Sequence, residues 1–442
     1  MGSLTIQDLL LTPIYLSFIL MATLVIRNGI KNKALRNYFM WGIWLKIFGA
    51  IALGIIYNTY YGGDTNLFFR DGGILWEILL KSPSLGFRLL FFTDAGDNSP
   101  EIFQYVRRIY YYTDQHSFAV LRISAICSIF SFNTYTINAI FFAIVSFTGV
   151  WCMFRVWYHL YPQLLRPLAV ATFYIPSVIF WGSGLLKDTI TLGALGWMFY
   201  GFYFGIILRK KMLGNILILL LGVWVSNAIK QYVLLIFVPS ALLWIFLQYR
   251  NRIKSRPLRI IMLPVMMSIG LPAGFFAVNQ IAGEQSQYSI DNVAANAKIN
   301  SEWLEYVSEK QGGSGYSLGE LDGTLGNMLV KFPQAVWLAL FRPYVWEAGN
   351  PFMMLSALES LFFLLLTLKL LFTVNFVKLS RQFVDRPVLF FSLAFTLVLA
   401  FAAAITSNNF GTVVRYKIPF MPFYLSTLYV LRYHLKNSTK LF

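Results

Sequence analysis

The run Tyr61-Gly62-Gly63-Asp64-Thr65 lies where the second long apolar segment of the chain gives out and a charged, aromatic stretch begins that continues to about residue 117. A carboxylate delivered to the end of a span is placed at the membrane surface, where charge is tolerated and usually serves a purpose. Whether Asp64 lies outside the hydrocarbon therefore decides both the fold and the chemistry.

Composition sets the class. Of 442 residues, 57% are hydrophobic, 18% aromatic and only 12% charged, and the mean hydropathy is +0.62. No soluble domain needs so much apolar surface. Thr12 to Ile26, Trp41 to Tyr57, Ile137 to Phe154 and Leu355 to Phe372 each approach the roughly 20 residues that cross a bilayer core. The first segment has no basic residue before it and no small-residue cleavage site after it, so it is expected to be a retained span and not a signal peptide.

The net charge of +17 does not call for a nucleic-acid partner, because the basic residues concentrate between spans in the positive-inside pattern. Arg27, Lys31, Lys33 and Arg36 mark one cytoplasmic loop, and Arg209, Lys210 and Lys211 another. Arg250 to Arg259, the pair Arg381 and Arg386, and the tail from Arg432 to Lys440 mark three more. Cys127 and Cys152 lie in apolar segments without metal-ligand spacing and are expected to be packing residues.

Following these charges predicts an all-α, polytopic helical bundle, one integral-membrane domain over residues 1–442 with about eleven spans. They fall near 9–26, 39–58, 136–155, 168–182, 186–208, 213–228, 231–248, 260–279, 353–374, 387–406 and 418–432. The N-terminus and Asp64 are then outside and the C-terminus is cytoplasmic. Phe118 to Phe132 is short, carries Arg122, and is placed as an interfacial or re-entrant helix on the outer side; if it spans instead, Asp64 moves to the cytoplasmic side. Two extracytoplasmic loops result, 59–135 with short interfacial helices and 280–352. In the second, Glu302, Glu305 and Glu309 beside Trp303 and Tyr306 predict a short helix, and Gln311 to Gly315 a mobile lid.

Four polar clusters border the outer ends of spans. In the first, Asp64, Arg70 and Asp71 share a short segment, and carboxylates seven residues apart fall on one helix face, able to share a divalent cation or a proton. The alternative is a solvated ion pair in a turn. In the second, Pro176 to Asp188, a proline and two glycines break an apolar run before Lys187 and Asp188 open the next span. Asp188 suits a helix start, whereas Lys187 opposes the helix dipole there and is better explained by an anionic ligand.

The third cluster is Arg342-Pro343-Tyr344-Val345-Trp346-Glu347, where an arginine fork suits a phosphate. Tyr344 and Trp346 suit a sugar platform or a membrane-interface belt. The fourth, Asn408 to Pro419, puts Arg415, Tyr416 and Lys417 on the outer side, against the orientation rule, and a bound polyprenyl phosphate would supply the reason. A carboxylate base together with cations for a departing phosphate is what sugar transfer from a lipid-linked donor requires.

The Asp after an early span, the Pro-Ser-x-x-x-Trp-x-Ser-Gly-x-x-Lys-Asp element (176–188) and the Gly-Thr-x-x-Arg-Tyr-x-x-Pro-x-x-Pro element (411–422) resemble the GT-C superfamily of integral-membrane glycosyltransferases and related bacterial surface-polysaccharide polymerases. The resemblance is one of layout and short motifs over most of the chain. It implies GT-C-like outer loops, Asp64 as catalytic base or metal ligand with Asp71 nearby, Lys187 and Asp188 at the border of the site, and Arg342, Arg415 and Lys417 facing the lipid phosphate. It implies a polyprenyl-linked sugar donor, a glycan or lipid-linked acceptor, and an active face outside a bacterial inner membrane. The chain departs from the family in having an extra span before Asp64 and Thr65 in place of a second adjacent acid. A polymerase shares this chemistry. A transporter or flippase of a lipid-linked sugar is the rival, for which Glu359 is the intramembrane charge to consider, Lys46 and Lys369 lying near cytoplasmic ends where they can snorkel.

Overall fold

A computed structural model describes residues 3–250, 290–310, 315–373 and 375–438. They form helices α1 (Ile6–Gly29), α2 (Lys33–Ile56), α3 (Asp64–Lys81), α4 (Pro83–Phe91), α5 (Pro100–Val106), α6 (Gln115–Ser131), α7 (Tyr135–Leu160), α8 (Leu165–Phe173), α9 (Pro176–Phe180), α10 (Lys187–Gly201) and α11 (Met212–Tyr249). After these come α12 (Ile290–Lys310), α13 (Leu325–Val330), α14 (Phe332–Phe341), α15 (Pro351–Thr373), α16 (Phe376–Asp385), α17 (Pro387–Ile405), α18 (Phe410–Tyr416) and α19 (Met421–Ser438). Among the described residues the only β pairing is an isolated bridge between Gly315 and Asn409.

The described residues are all-helical in class, and seven of the described helices are long and apolar enough to cross a membrane: α1, α2 with its terminal π turn, α7, α10 with its own π turn, α11, α15 and α17. They lie over the expected spans with three differences. The segments 213–228 and 231–248 are the two halves of α11, which breaks at Lys230 (φ −144°, ψ 78°). The segment 168–182 is not one span but α8 and α9, nine and five residues long, because Pro176 removes a backbone donor and turns Ile175 away from helix. The segment 418–432 is α19, buried along much of its length by Phe423, Leu425, Leu428 and Leu431. The expected span 260–279, the basic run 252–259 and most of the glycine-rich run 311–315 fall outside the described residues.

Two compact units make up the chain, one of Met1–Arg155, Val178–Gly201 and Lys210–Lys230, the other of Val156–Ser177, Phe202–Arg209 and Gln231–Phe442. In lipid, apolar contact alone does not drive helices together, so small residues that permit close approach carry the packing. The first unit shows this directly: a Cβ built on Gly149 of α7 would lie 1.9 Å from the Gly193 carbonyl oxygen of α10, and one on Gly196 would lie 2.0 Å from that of Gly149. The first half of α11 runs antiparallel to α10, with Leu219 against Gly201, Gly222 against Met198 and Lys230 against Asp188. By contrast α1 is held mainly through its N-terminal half, where Asp8 accepts from Thr136 N (2.7 Å) and Tyr15 donates to the Phe130 carbonyl. Its apolar side chains are otherwise exposed, as suits lipid.

The stretch after Asp64 forms a local layer in which α3 packs against α6 and α4. Its core includes Phe68, Leu75, Ile78, Leu89, Phe118 and Leu121. Arg122 is not loose in that layer: it donates to the carbonyls of Leu89 (3.0 Å) and Thr93 and lies over the Phe118 ring. α6, with 17 residues, is not among the seven membrane-length helices.

The second unit has an aromatic core in which Phe237, Trp244, Phe391, Phe395 and Phe423 pack edge to face and offset, with centroids 5.2–6.3 Å apart in the pairs Phe237–Phe391, Phe237–Phe395, Trp244–Phe391 and Phe395–Phe423. α12 is a 21-residue polar helix, longer than the short one expected. The segment that follows is pinned at Tyr316, whose backbone N bonds the Asn408 carbonyl (3.1 Å) and whose hydroxyl donates to the Ala404 carbonyl (2.8 Å).

Candidate functional site

In the first unit, α2 ends in a π turn, Tyr57–Tyr61, and the chain passes through Gly62 (φ 65°) and Gly63 (φ 91°) before α3 starts at Asp64. Both glycines occupy the left-handed region that other residues avoid, and they allow one helix to stop and the next to begin within two positions. The start of α3 is fixed by Thr65, whose hydroxyl bonds that of Tyr135 (2.8 Å). Tyr135 passes over Gly54, where a Cβ would lie 2.8 Å from its ring.

Asp64, Phe68 and Asp71 lie on one face of α3, as the spacing predicts, and all three meet Tyr111. The Tyr111 hydroxyl donates to Asp64 Oδ1 (3.2 Å), its ring stacks on Phe68 (centroids 5.1 Å) and its backbone N–H donates to Asp71 Oδ2 (3.2 Å). Asp71 is fully buried. Its Oδ2 also accepts from Tyr110 N (2.8 Å), and its Oδ1 takes two bonds from the Arg70 guanidinium (2.9 and 2.7 Å). What the two carboxylates share is Tyr111, and Asp71 and Arg70 act as the clamp that holds it. Burial, followed by the neighbouring Asp64 charge and hydrogen bond, pushes the Tyr111 hydroxyl well above its usual range, so Tyr111 remains a proton donor to Asp64.

Lys187, the first residue of α10, meets Asp114 (Nζ to Oδ2, 3.1 Å) and also feels the Asp64 charge. Asp114 is at once the N-cap of α6, accepting from His116 N (3.0 Å) and from the Ser117 hydroxyl. Burial opposes its charge, but Lys187 and these donors outweigh burial and hold its carboxyl below the usual range. The adjacent Asp188 points inward, fully buried, and pairs with Lys230 at the break in α11.

The irregular segment between α9 and α10 that delivers Lys187 is held by Lys46 of α2. Its ammonium donates to the carbonyls of Gly182 (2.6 Å) and Val178 (3.2 Å) and, more weakly, to Ser146 Oγ (3.4 Å). Gly49, one turn on, lets the Ile179 carbonyl approach α2.

In the second unit, the Arg342 fork bonds Glu347, whose carboxylate also accepts from Tyr344 N (2.7 Å). Burial opposes the Glu347 charge, yet these bonds hold its carboxyl below the usual range. Tyr344 and Trp346 stack on each other. Lys417 faces the interior: it is fully buried, donates to Ser360 Oγ (3.0 Å) and is attracted by Glu359, which accepts from Ser177 N (2.8 Å) and Oγ (2.7 Å). The charge that the sequence left asking for a lipid phosphate is met inside the protein. Arg415 is half-buried in the last turn of α18, where a cation is favoured, and Tyr416 lies beside Tyr232.

The four clusters thus fall into two sets. Asp64, Arg70, Asp71, Lys187 and Asp188 belong to the first unit, and Arg342, Tyr344, Trp346, Glu347, Arg415, Tyr416 and Lys417 to the second. Sequence reasoning passed over Tyr111, Asp114 and Lys230. The available signal for Lys230 was a lone charge within the otherwise apolar run 212–249. Among the described residues no group of three or more His, Cys, Asp or Glu side chains is gathered as for a metal ion. Comparison of the chain with family models, with curated proteins and with solved structures found no match to any of them.

Proposed function

We propose that the protein is a membrane-embedded glycosyltransferase, moving a sugar from a polyprenyl phosphate or diphosphate carrier to a hydroxyl acceptor outside a bacterial inner membrane during cell-envelope polysaccharide or glycoconjugate assembly. The observation that carries this is Asp64, half-buried at the start of α3, oriented by Tyr111 and within the field of Lys187. Asp64 takes the proton of the acceptor hydroxyl as that oxygen attacks the anomeric carbon. The bond from that carbon to the carrier phosphate breaks, and the phosphate leaves with the electron pair. Lys187, with 22% of its side chain exposed beside Asp114, supplies positive charge to the departing anion. Both Asp71 oxygens are already bonded, so Asp71 is not placed to hold a divalent cation beside Asp64. A polymerase of lipid-linked repeat units would use the same step with a growing glycan as acceptor.

Transfer is measured with the purified protein in nanodiscs and a pool of polyprenyl-linked sugars. Asp64→Asn should lower the rate by roughly 10²- to 10⁴-fold, the range for loss of a positioned base. Wild-type transfer with an undiminished rate in Asp64→Asn would sink the assignment.

A second reading, transport of a lipid-linked sugar, is motivated by charge within the apolar interior, the Asp188–Lys230 pair and Glu359 in the field of Lys417. Movement of the same lipid across protein-containing vesicles, without any glycan product, would favour it.

A further inference from the structure

The turn between α14 and α15 carries an aromatic stack that the transfer step does not use. Trp346 is the most solvent-open part of it, 82% exposed, and its ring lies over Tyr344 with centroids 4.8 Å apart and planes 26° from parallel. One face of the indole is covered by Tyr344, and the exposure belongs to the other.

The stack is fixed from below. The Tyr344 hydroxyl accepts from Trp337 Nε1 (2.7 Å), its backbone N donates to Glu347, and the Arg342 guanidinium lies 5.7 Å from its ring centre while bonding Glu347. Arg342 and Glu347 keep 25% and 19% of their side chains exposed, so a planar pair of donors and acceptors borders the flat apolar face.

We propose that this turn is a carbohydrate platform, on which the C–H face of a sugar ring stacks against Trp346 while Arg342 and Glu347 bond its hydroxyls. The electron-rich indole face attracts the weakly positive C–H groups, and a ring already locked in place loses little freedom on binding. A Trp that merely anchors a span at the membrane interface needs only its N–H in the wet layer. It has no use for a stacked tyrosine, a Trp337 bond and an ion pair holding it in one orientation. The proposal rests on the transferase reading only in naming the acceptor glycan as the ligand.

The test uses the full chain in nanodiscs and reads the emission lost in Trp346→Phe, taken as the difference from wild type. The probes are the linear hexasaccharides of glucose, N-acetylglucosamine and galactose, and in a parallel arm nanodiscs of brominated lipid. A saturable response of the Trp346 component to at least one hexasaccharide is expected, with binding about tenfold or more weaker in Trp346→Ala and partly kept in Trp346→Phe when read by calorimetry. Brominated lipid should leave the component unquenched. Strong quenching by brominated lipid would make Trp346 a bilayer anchor and overturn the platform. So would the absence of response to all three probes, since stacking needs only a sugar's C–H face. Binding that persists while no product forms when the pool of polyprenyl-linked sugars is added would leave the platform standing and count against the transferase.

Discussion

Breaking the Asp188–Lys230 pair should cost far more than losing a surface salt bridge. The two side chains are 0% and 8% exposed, and neither end can turn to water when the other is lost. At contact distance, with an effective dielectric near 20, the attraction is about 5 kcal/mol, and removing one partner of a buried pair typically costs about 3–5 kcal/mol because the other charge is left stranded. Asp188→Asn, which keeps the shape and removes the charge, and Lys230→Gln should each destabilise by about 3–5 kcal/mol. The double variant replaces ions with two amides able to bond each other and should return to within about 1 kcal/mol of wild type. The assay is denaturant unfolding in mixed micelles across the four proteins, with transfer rate read in parallel. Because Asp188 follows Lys187 directly, either single change should also loosen Lys187 from Asp114 and reduce transfer, and the double variant should recover both quantities together. Single variants that each lose under about 1 kcal/mol, or losses that simply add, would show that the pair is not a coupled buried unit.

Three further outcomes are expected. Lys46→Met leaves the Val178 and Gly182 carbonyls without their buried donor, at about 1–3 kcal/mol each, seen as a lower thermal midpoint in detergent that Lys46→Arg partly restores. Gly149→Leu should abolish the folded form in size-exclusion and thermal assays, since even a Cβ would meet the Gly193 carbonyl at 1.9 Å, whereas Gly29→Ala, with nothing within 4 Å, should behave as wild type. The Asp114 carboxyl is held below its usual range in the folded protein, so its contact with Lys187 contributes fully above its unfolded value of about 4 and is lost as pH falls through the lower folded value. Unfolding midpoints measured between neutral and acid pH should therefore show an acid limb in wild type that Asp114→Asn reduces.

The positions of α1, α2, α7, α15 and α17 were legible because an apolar run of membrane length has few other uses, and the ends came within a few residues. The shared face of Asp64 and Asp71 was legible because helical spacing is local. What they meet on that face was not: Tyr111 lies 47 residues from Asp64 in sequence, and nothing near either residue marks it. Lys417 shows the same limit from the other side. Counting charges places it at an outer end, but whether it turns outward to a ligand or inward to Ser360 depends on helix α15, 57 residues away. The break in 168–182 was signalled by Pro176 yet read as the end of a span, because hydropathy averages over the two helices that the proline separates.

The interior lysines bear on how the two proposed readings, transfer and transport, differ in cost. Lys46 is held by carbonyls, Lys230 by Asp188, and Lys417 by Ser360 in the field of Glu359, and all three are buried. For any of these charges to move with a cargo, a buried contact must open and close in each cycle, at about 3–5 kcal/mol for an ion pair. Lys187 is different. Its partner Asp114 keeps 43% of its side chain exposed, so an arriving phosphate can take the ammonium while the carboxylate turns into water, where ion pairs are worth about 1 kcal/mol or less. The low cost of that exchange suits Lys187 to the departing anion of the proposed transfer, with Asp64, whose charge it already feels, as the proposed base.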